Sequence, residues 1–307
     1  MLGRVTQGTM TNQLLRNINT NLRTMQGLQE KMSTGRMINR PSDDPVGITY
    51  ALRYRSDISI NERYQTNVDS ASSQLEFTDT VLTQTSDVLK RIKELAVQGS
   101  NGTNPDVALN NIAGEIKELK DQLIDIANSQ FKGKYIFNGQ FTDKKPYDPS
   151  TDVKKAITDT GKIEYVINSG VELSVNLNGN DVFGYPPPGT PADKNEDDNI
   201  FNIVDQLVTE LVAGEYDKVS AQLPLLETRM NKVLTQQAEI GARVNRIELM
   251  QQRLEDLNYN LTSLQSKTED ADYEELIIQS KVNENVYQAA LSVGAKIITP
   301  SLVDFLK

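Results

Sequence analysis

Residues 219–261, VSAQLPLLETRMNKVLTQQAEIGARVNRIELMQQRLEDLNYNL, place apolar side chains in alternating steps of four and three. Val219, Leu223, Leu226, Met230, Val233, Ile240, Val244, Ile247, Leu254 and Leu261 fall on this register, with Gln237, Gln251 and Asn258 as its polar members. A repeat averaging 3.5 residues, held for six heptads, predicts one long rod-like helix with a seam for coiled-coil-like packing. The polar members weaken that seam and restrict its register and partner choice.

Shorter seams lie upstream. Val68, Leu75, Leu82, Leu89 and Ala96 recur every seven residues, and Leu109, Ile112, Ile116, Leu119, Leu123 and Ile126 step by three and four. Nearer the start, Leu15, Ile18, Leu22, Met25, Gln29 and Met32 do the same. Residues 134–199 break the pattern. Val171, Leu173, Val175 and Leu177 alternate with polar residues, the period of a half-buried strand. Ile163–Ile167 precedes them across Asn168-Ser169-Gly170, which predicts a β-hairpin. The proline- and charge-rich run from Tyr185 predicts a loop, with helix resuming at about Ile200. The expected fold is therefore mainly α: a long coiled-coil-like helical bundle formed by the N- and C-terminal regions, with a small β-rich domain inserted in the middle. The 141–198 insertion is expected to be self-contained.

Composition narrows the function. The chain has no Cys, no His and no Trp. That removes disulfides, thiolate chemistry, histidine acid–base work and ordinary zinc sites, and argues against an enzyme. A net charge of −10 argues against nucleic acid as a partner. Charge is uneven, with six basic residues and one acidic in 1–40 against three basic and seven acidic in 268–307. Two solvated faces would account for this, as would two chain ends that lie together and attract. The opening MLGRVTQGTMTNQLL has no long apolar run or cleavage pattern, so no cleaved signal peptide is expected, nor any membrane span.

Residues 33–47, STGRMINRPSDDPVG, interrupt the helical pattern. Gly35 and Gly47 do not make a phosphate-cradling pattern, and the lysine of that pattern is missing. Asp43 and Asp44 alone are too few ligands for a magnesium site. Asp44 instead fits the cap of a helix beginning at Pro45, and Gly35 the end of the helix before it. The stretch reads as a joint between helices. Asp193, Asn195 and Asp197 have calcium-loop spacing, but Asp198 stands where glycine is needed and Val204 where glutamate is. No metal and no cofactor is expected.

LQEKMSTGRMINRPSDDPVGITYA, which contains this joint, resembles the N-terminal region of the bacterial flagellin superfamily. Residues 239–276 with the closing VYQAALSVGAKIITPSLVDFLK resemble its C-terminal counterpart. The form RPSDDPVG (Arg40, Pro41, Ser42, Asp43, Asp44, Pro45, Val46, Gly47), with YIFNGQFTDKKPY at 135–147 and VNLNGNDVFG at 175–184, is most similar to the hook–filament junction members; flagellin proper is the alternative. The resemblance implies a secreted, non-catalytic subunit of the flagellum, exported through the type III channel. Its implied partners are the first hook–filament junction protein, flagellin, an export chaperone on the C-terminal region, and copies of itself in a ring. It implies inner-core helices at 1–41 and 268–307, a helical shell from 42–140 and 199–267, and an outer module at 141–198. A coiled-coil adaptor or secretion-system tip protein is the competing class, and an enzyme using Asp43 and Asp44 a remote one.

The implied assembly residues are Leu15, Ile18, Leu22, Met25 and Met32 at one end and Val286, Val293, Ile297, Leu302, Phe305 and Leu306 at the other. A lone helix carrying the Leu15–Met32 stripe is only marginally stable. Residues 1–40 and 270–307 are accordingly expected to be loose in the monomer and ordered on assembly.

Overall fold

The structure is a computed structural model that describes residues 7–102, 104–186 and 198–297. The 219–261 seam lies within a single helix, α6 (Tyr216–Glu269). Val219, Leu226, Val233, Ile240, Ile247 and Leu254, spaced by seven, are all buried, while the seam positions between them are half-buried. One edge of the heptad pattern thus faces the core. Pro224 sits inside α6 and removes one helical hydrogen bond, at a cost of about 3 kcal/mol. Burial of Val219 and Leu226 on either side carries the helix through it.

The second long helix, α2 (Pro45–Gly99), carries the seven-residue repeat from Val68 to Ala96, every member of it buried. Asn61 extends that repeat by one step and is also buried. Its side-chain amide donates to the Leu254 carbonyl at 2.9 Å, the Gln237 amide donates to the Thr83 hydroxyl at 2.9 Å, and Lys93 pairs with Glu227 at 3.2 Å. Numbers that rise along α2 fall along α6, so the pair is antiparallel.

The chain divides into two units, 61–256 and 1–60 with 257–307. The division falls where the fully buried members of both seams end, beside Asn61 and Leu254.

In the 61–256 unit, α3 (Asp106–Ala127) packs on α5 (Ile200–Ala213). Asn199 caps α5 by accepting from the Phe201 and Asn202 N–H groups, and Gly214 ends it at φ 70°. Two small antiparallel sheets lie between these helices in sequence: β1 (Gln130–Phe131) with β2 (Lys134–Tyr135), and β3 (Glu164–Asn168) with β4 (Val171–Ser174). The second is the expected hairpin, turning at Ser169-Gly170. A short helix, α4 (Gly179–Phe183), follows.

The insertion is not self-contained. Tyr147, Ile167, Leu173, Val175, Leu177 and Phe183 belong to the same buried cluster as the α2, α3, α5 and α6 seams. Phe183 meets Phe137 and Tyr147 edge-on and stacks with Phe201 of α5, which Tyr147 also contacts at a tilt, ring centroids 5.2–5.8 Å apart. The reason is size: a two-stranded hairpin cannot cover its own apolar face and must bury it against helices. Arg229 of α6 fastens the junction from inside. It is fully buried and donates to the carbonyls of Asp181 (3.0 Å), Val182 (3.3 Å) and Asp198 (3.0 Å), and to the Asp198 carboxylate.

In the other unit, α1 (Gln7–Thr34) packs against α7 (Tyr273–Ile297). The Asn21 amide donates to the Asn283 carbonyl at 3.3 Å, and the Tyr273 hydroxyl to the Met32 carbonyl at 3.0 Å, so this pair too is antiparallel.

Candidate functional site: the joint and the terminal helix pair

The joint begins where α1 stops. Gly35 takes φ 71°, which a side chain would strain, and its N–H donates to the Lys31 carbonyl at 2.9 Å. The chain then pairs with the segment that links α6 to α7. The Ala271 N–H donates to the Gly35 carbonyl at 3.0 Å, Arg36 and Asp270 form an antiparallel bridge, and the Met37 N–H donates to the Glu269 carbonyl at 2.7 Å. Two loops far apart in sequence are thereby tied by backbone alone.

Charge reinforces the tie. Glu269 is 2% exposed at its side chain and accepts from the Arg55 guanidinium and from the Gln265 amide at 2.6 Å; Arg36 approaches at 3.8 Å. Burial alone would raise its pKa, but the hydrogen bonds from Arg55 and Gln265 and the charges of Arg55 and Arg36 outweigh it and hold it below the usual carboxylate range. Arg36–Glu269 is one pair in which the basic and acidic chain ends meet. A carboxyl shifted this way stabilises the folded state above its unfolded value of 4.5, and the contribution fades as pH falls through the lowered value. Glu269→Gln is therefore expected to cost about 2 kcal/mol at neutral pH, a cost that shrinks as the pH is taken below 4.5. Urea unfolding of both proteins at neutral pH and at a series of acidic pH values measures the difference.

The rest of the motif shapes the start of α2. Asp43 accepts from the Arg40 N–H (2.9 Å) and the Asn39 N–H (3.1 Å), which hold its carboxyl below the usual range. Asp44 accepts from the Val46 N–H at 3.0 Å, the geometry of an N-cap with Pro45 as first helical residue. Asp44→Ala is expected to cost about 1 kcal/mol, read as a shift in the urea midpoint. Gly47 is needed for space: a Cβ there would stand 2.5 Å from the Asp44 carboxylate and 2.6 Å from the buried Ile38. Arg40 pairs with Glu30 at 2.7 Å on the surface, and Pro41 and Ser42 are exposed. Among the described residues no cluster of three or more His, Cys, Asp or Glu could hold a metal, and no helix is long and apolar enough to cross a membrane.

Beyond the joint, the terminal pair packs by its less apolar sides. Leu14, Ile18, Asn21, Met25, Leu28 and Met32 are the buried or half-buried heptad of α1. Leu15, which spacing placed on the seam, is 49% exposed, because Leu14 rather than Leu15 lies against Gly294 of α7. Leu22 is half-buried beside the heptad. On α7 the inward heptad is Leu276, Ser280, Asn283, Tyr287, Ala290 and Gly294, mostly small or polar. Its bulkier residues point away: Ile277, Ile278, Val282, Val286, Leu291 and Val293 are 46–64% exposed. Ile297 closes α7, and Leu302, Phe305 and Leu306 lie outside the described residues. The ends expected to be loose thus form a helix pair, though a thinly packed one, with Leu28 and Leu276 its fully covered large side chains. Sequence spacing missed this arrangement, since Ser280, Asn283 and Gly294 carry no apolar signal.

Comparison with known proteins adds the relationship. The family described as the bacterial flagellin N-terminal helical region matches residues 5–142, and the bacterial flagellin C-terminal helical region matches 223–306. The flagellar hook-associated protein 3 of Salmonella typhimurium is 28% identical over 230 residues, 69% of this chain and 71% of that one. A flagellin of Bacillus subtilis is 28% identical over 237 residues, 73% of each. Among solved structures, a putative flagellar hook-associated protein from Vibrio parahaemolyticus superposes with a TM-score of 0.65 at 22% identity, over 74% of this chain and all of that one.

Proposed function

This chain belongs to the bacterial flagellin family, and we propose that within it the chain is a non-catalytic structural subunit joining the flagellar hook to the filament. One observation carries the reading most directly. The terminal helix pair leaves an apolar stripe of α7 uncovered, formed by Ile278, Val282, Val286 and Val293. A soluble chain rarely exposes so continuous an apolar face unless a partner covers it.

Assembly supplies that partner. Stacked copies bury the α7 face against neighbouring terminal helices, and the joint holds α1 and α7 in register so that the face is presented whole. Burying these four half-exposed side chains contributes on the order of 3 to 6 kcal/mol per subunit, enough to help order a thinly packed pair. The neighbours are the first junction protein on the hook side, flagellin on the filament side, and copies of the chain in a ring. The subunit leaves through the type III export channel, its C-terminal region covered by a chaperone until then. The joint residues Gly35, Arg40, Pro41, Ser42, Asp43, Asp44, Pro45 and Gly47 set the geometry and do no chemistry.

The Bacillus subtilis relative covers as large a share of the chain and favours a second reading, that the chain is itself a short flagellin. A deletion strain separates the two. A junction subunit predicts bare hooks and unpolymerised flagellin shed into the medium. Bare hooks with no flagellin shed would mean that the filament protein itself had been deleted. Filaments of normal length on deleted cells would contradict both.

A further inference from the structure

The 61–256 unit carries a groove that the assembly reading leaves unused. Its rim is the tip of the first hairpin, where β1 and β2 are joined by Lys132 and Gly133 at φ 51° and 78°. Two-residue hairpin turns with both φ positive favour Asn-Gly or Gly-Gly. Lys132 is the one non-glycine residue with positive φ among the described residues. A lysine there is held in a backbone conformation that asparagine adopts more readily, which points to a use for its side chain. Its ammonium stands 5.1 Å from the centre of the Phe131 ring.

Behind this rim the groove has a volume of about 490 Å³, within the range of small-molecule sites. Lys134 and Lys162 join Lys132 on its walls, and no Asp or Glu lines it. None of the three lysines makes an ion pair among the described residues. Of the acids nearby, Asp159 already accepts from the Gln140 and Gly161 N–H groups, and Glu164 lies on the opposite face of β3 from Tyr165. The rings of Tyr135 and Tyr165 line it, and Gln74 and Thr142 supply amide and hydroxyl groups; Phe131 is already packed against Phe77 at 5.5 Å, and the Gln140 amide donates to the Lys162 carbonyl at 3.0 Å. Three unpaired cations share one groove on a chain whose net charge is −10.

We propose that this groove binds a short acidic oligosaccharide of the uronate class. Ammonium groups meet the sugar carboxylates, the negative faces of the aromatic rings meet the C–H faces of the sugar rings, and the amide and hydroxyl meet the sugar hydroxyls. A peptide would need an open strand edge for its backbone. Asn67 of α2 already donates to the Val166 carbonyl on β3, and the Thr142 carbonyl already accepts from the Tyr135 N–H, so each strand flanking the groove has one backbone group engaged outside its own hairpin. The assignment is independent of the role in assembly.

The test is calorimetric titration of the full-length chain with trigalacturonate, the neutral trisaccharide maltotriose and hexaglutamate. The variant is Lys132→Asn with Lys134→Gln and Lys162→Gln. Asparagine suits the turn, so the variant is expected to fold, and a melt no lower than that of the parent chain confirms it. Trigalacturonate is expected to bind the parent chain, to weaken about tenfold or more in the variant, and to outbind maltotriose by a similar factor. Absence of binding at millimolar trigalacturonate, or equal binding by the variant, overturns the proposal. Tighter binding of hexaglutamate than of trigalacturonate also overturns it, in favour of a peptide site.

Discussion

Replacing Ile278, Val286 and Val293 together by aspartate is expected to abolish filament attachment while shifting the melting temperature of the monomer by no more than about 2 °C. The three side chains are 64%, 52% and 51% exposed, so in the isolated chain aspartate meets water at little cost. In an assembly each carboxylate would be trapped against apolar neighbours, and an uncompensated buried charge costs several kcal/mol. Repeated in every subunit of the proposed ring, that penalty leaves no stable junction. The matched control replaces Leu249 of α6, 68% exposed and far in sequence from the terminal pair. It should change neither property. Electron micrographs of complemented deletion cells, set beside melts of the purified proteins, read both halves. A lowered monomer melt would move the α7 face into the fold, and intact filaments would remove it from the interface.

Arg229→Ala should have the opposite signature: a large loss of stability in the monomer. It strips donors from three carbonyls and leaves Asp198, 7% exposed at its side chain, to pair with Lys232 at 2.8 Å. Breaking such a pair from one side costs about 3 to 5 kcal/mol, or roughly 10 °C in a unit of this size. Arg229→Met with Asp198→Asn removes both charges and should recover part of the loss. Full additivity of the two changes would mean that the pair does not couple the insertion to the helices.

These two results rest on features with very different visibility in the sequence. The heptads were legible because burial and spacing coincide: Leu75, Leu82 and Leu89 mark one face of α2 as Leu226, Val233 and Ile240 mark one face of α6. The hairpin at Ser169-Gly170 was legible from alternation and turn chemistry. Asp44 and Gly35 declared the helix ends because caps obey local rules. Arg229 was not legible, since a lone arginine flanking a seam looks like any solvated charge until the carbonyls it serves are brought to it by tertiary folding. The inward face of α7 was hidden for a related reason. Ser280, Asn283, Ala290 and Gly294 pack by being small, and hydrophobic periodicity registers only what is large and apolar. Val286 and Val293, given as assembly residues by the resemblance, lie on the uncovered side.

The most direct test uses the absence of cysteine from the chain. A single cysteine at Val286, exposed in the structure, reacts with a maleimide without interference from any other thiol. In the purified monomer it should label completely, as should a cysteine placed at Leu249. In sheared hook–filament complexes the account predicts that the residue at 286 is protected while the one at 249 still labels. Equal labelling of the residue at 286 in monomer and complex would contradict assembly through the terminal helices.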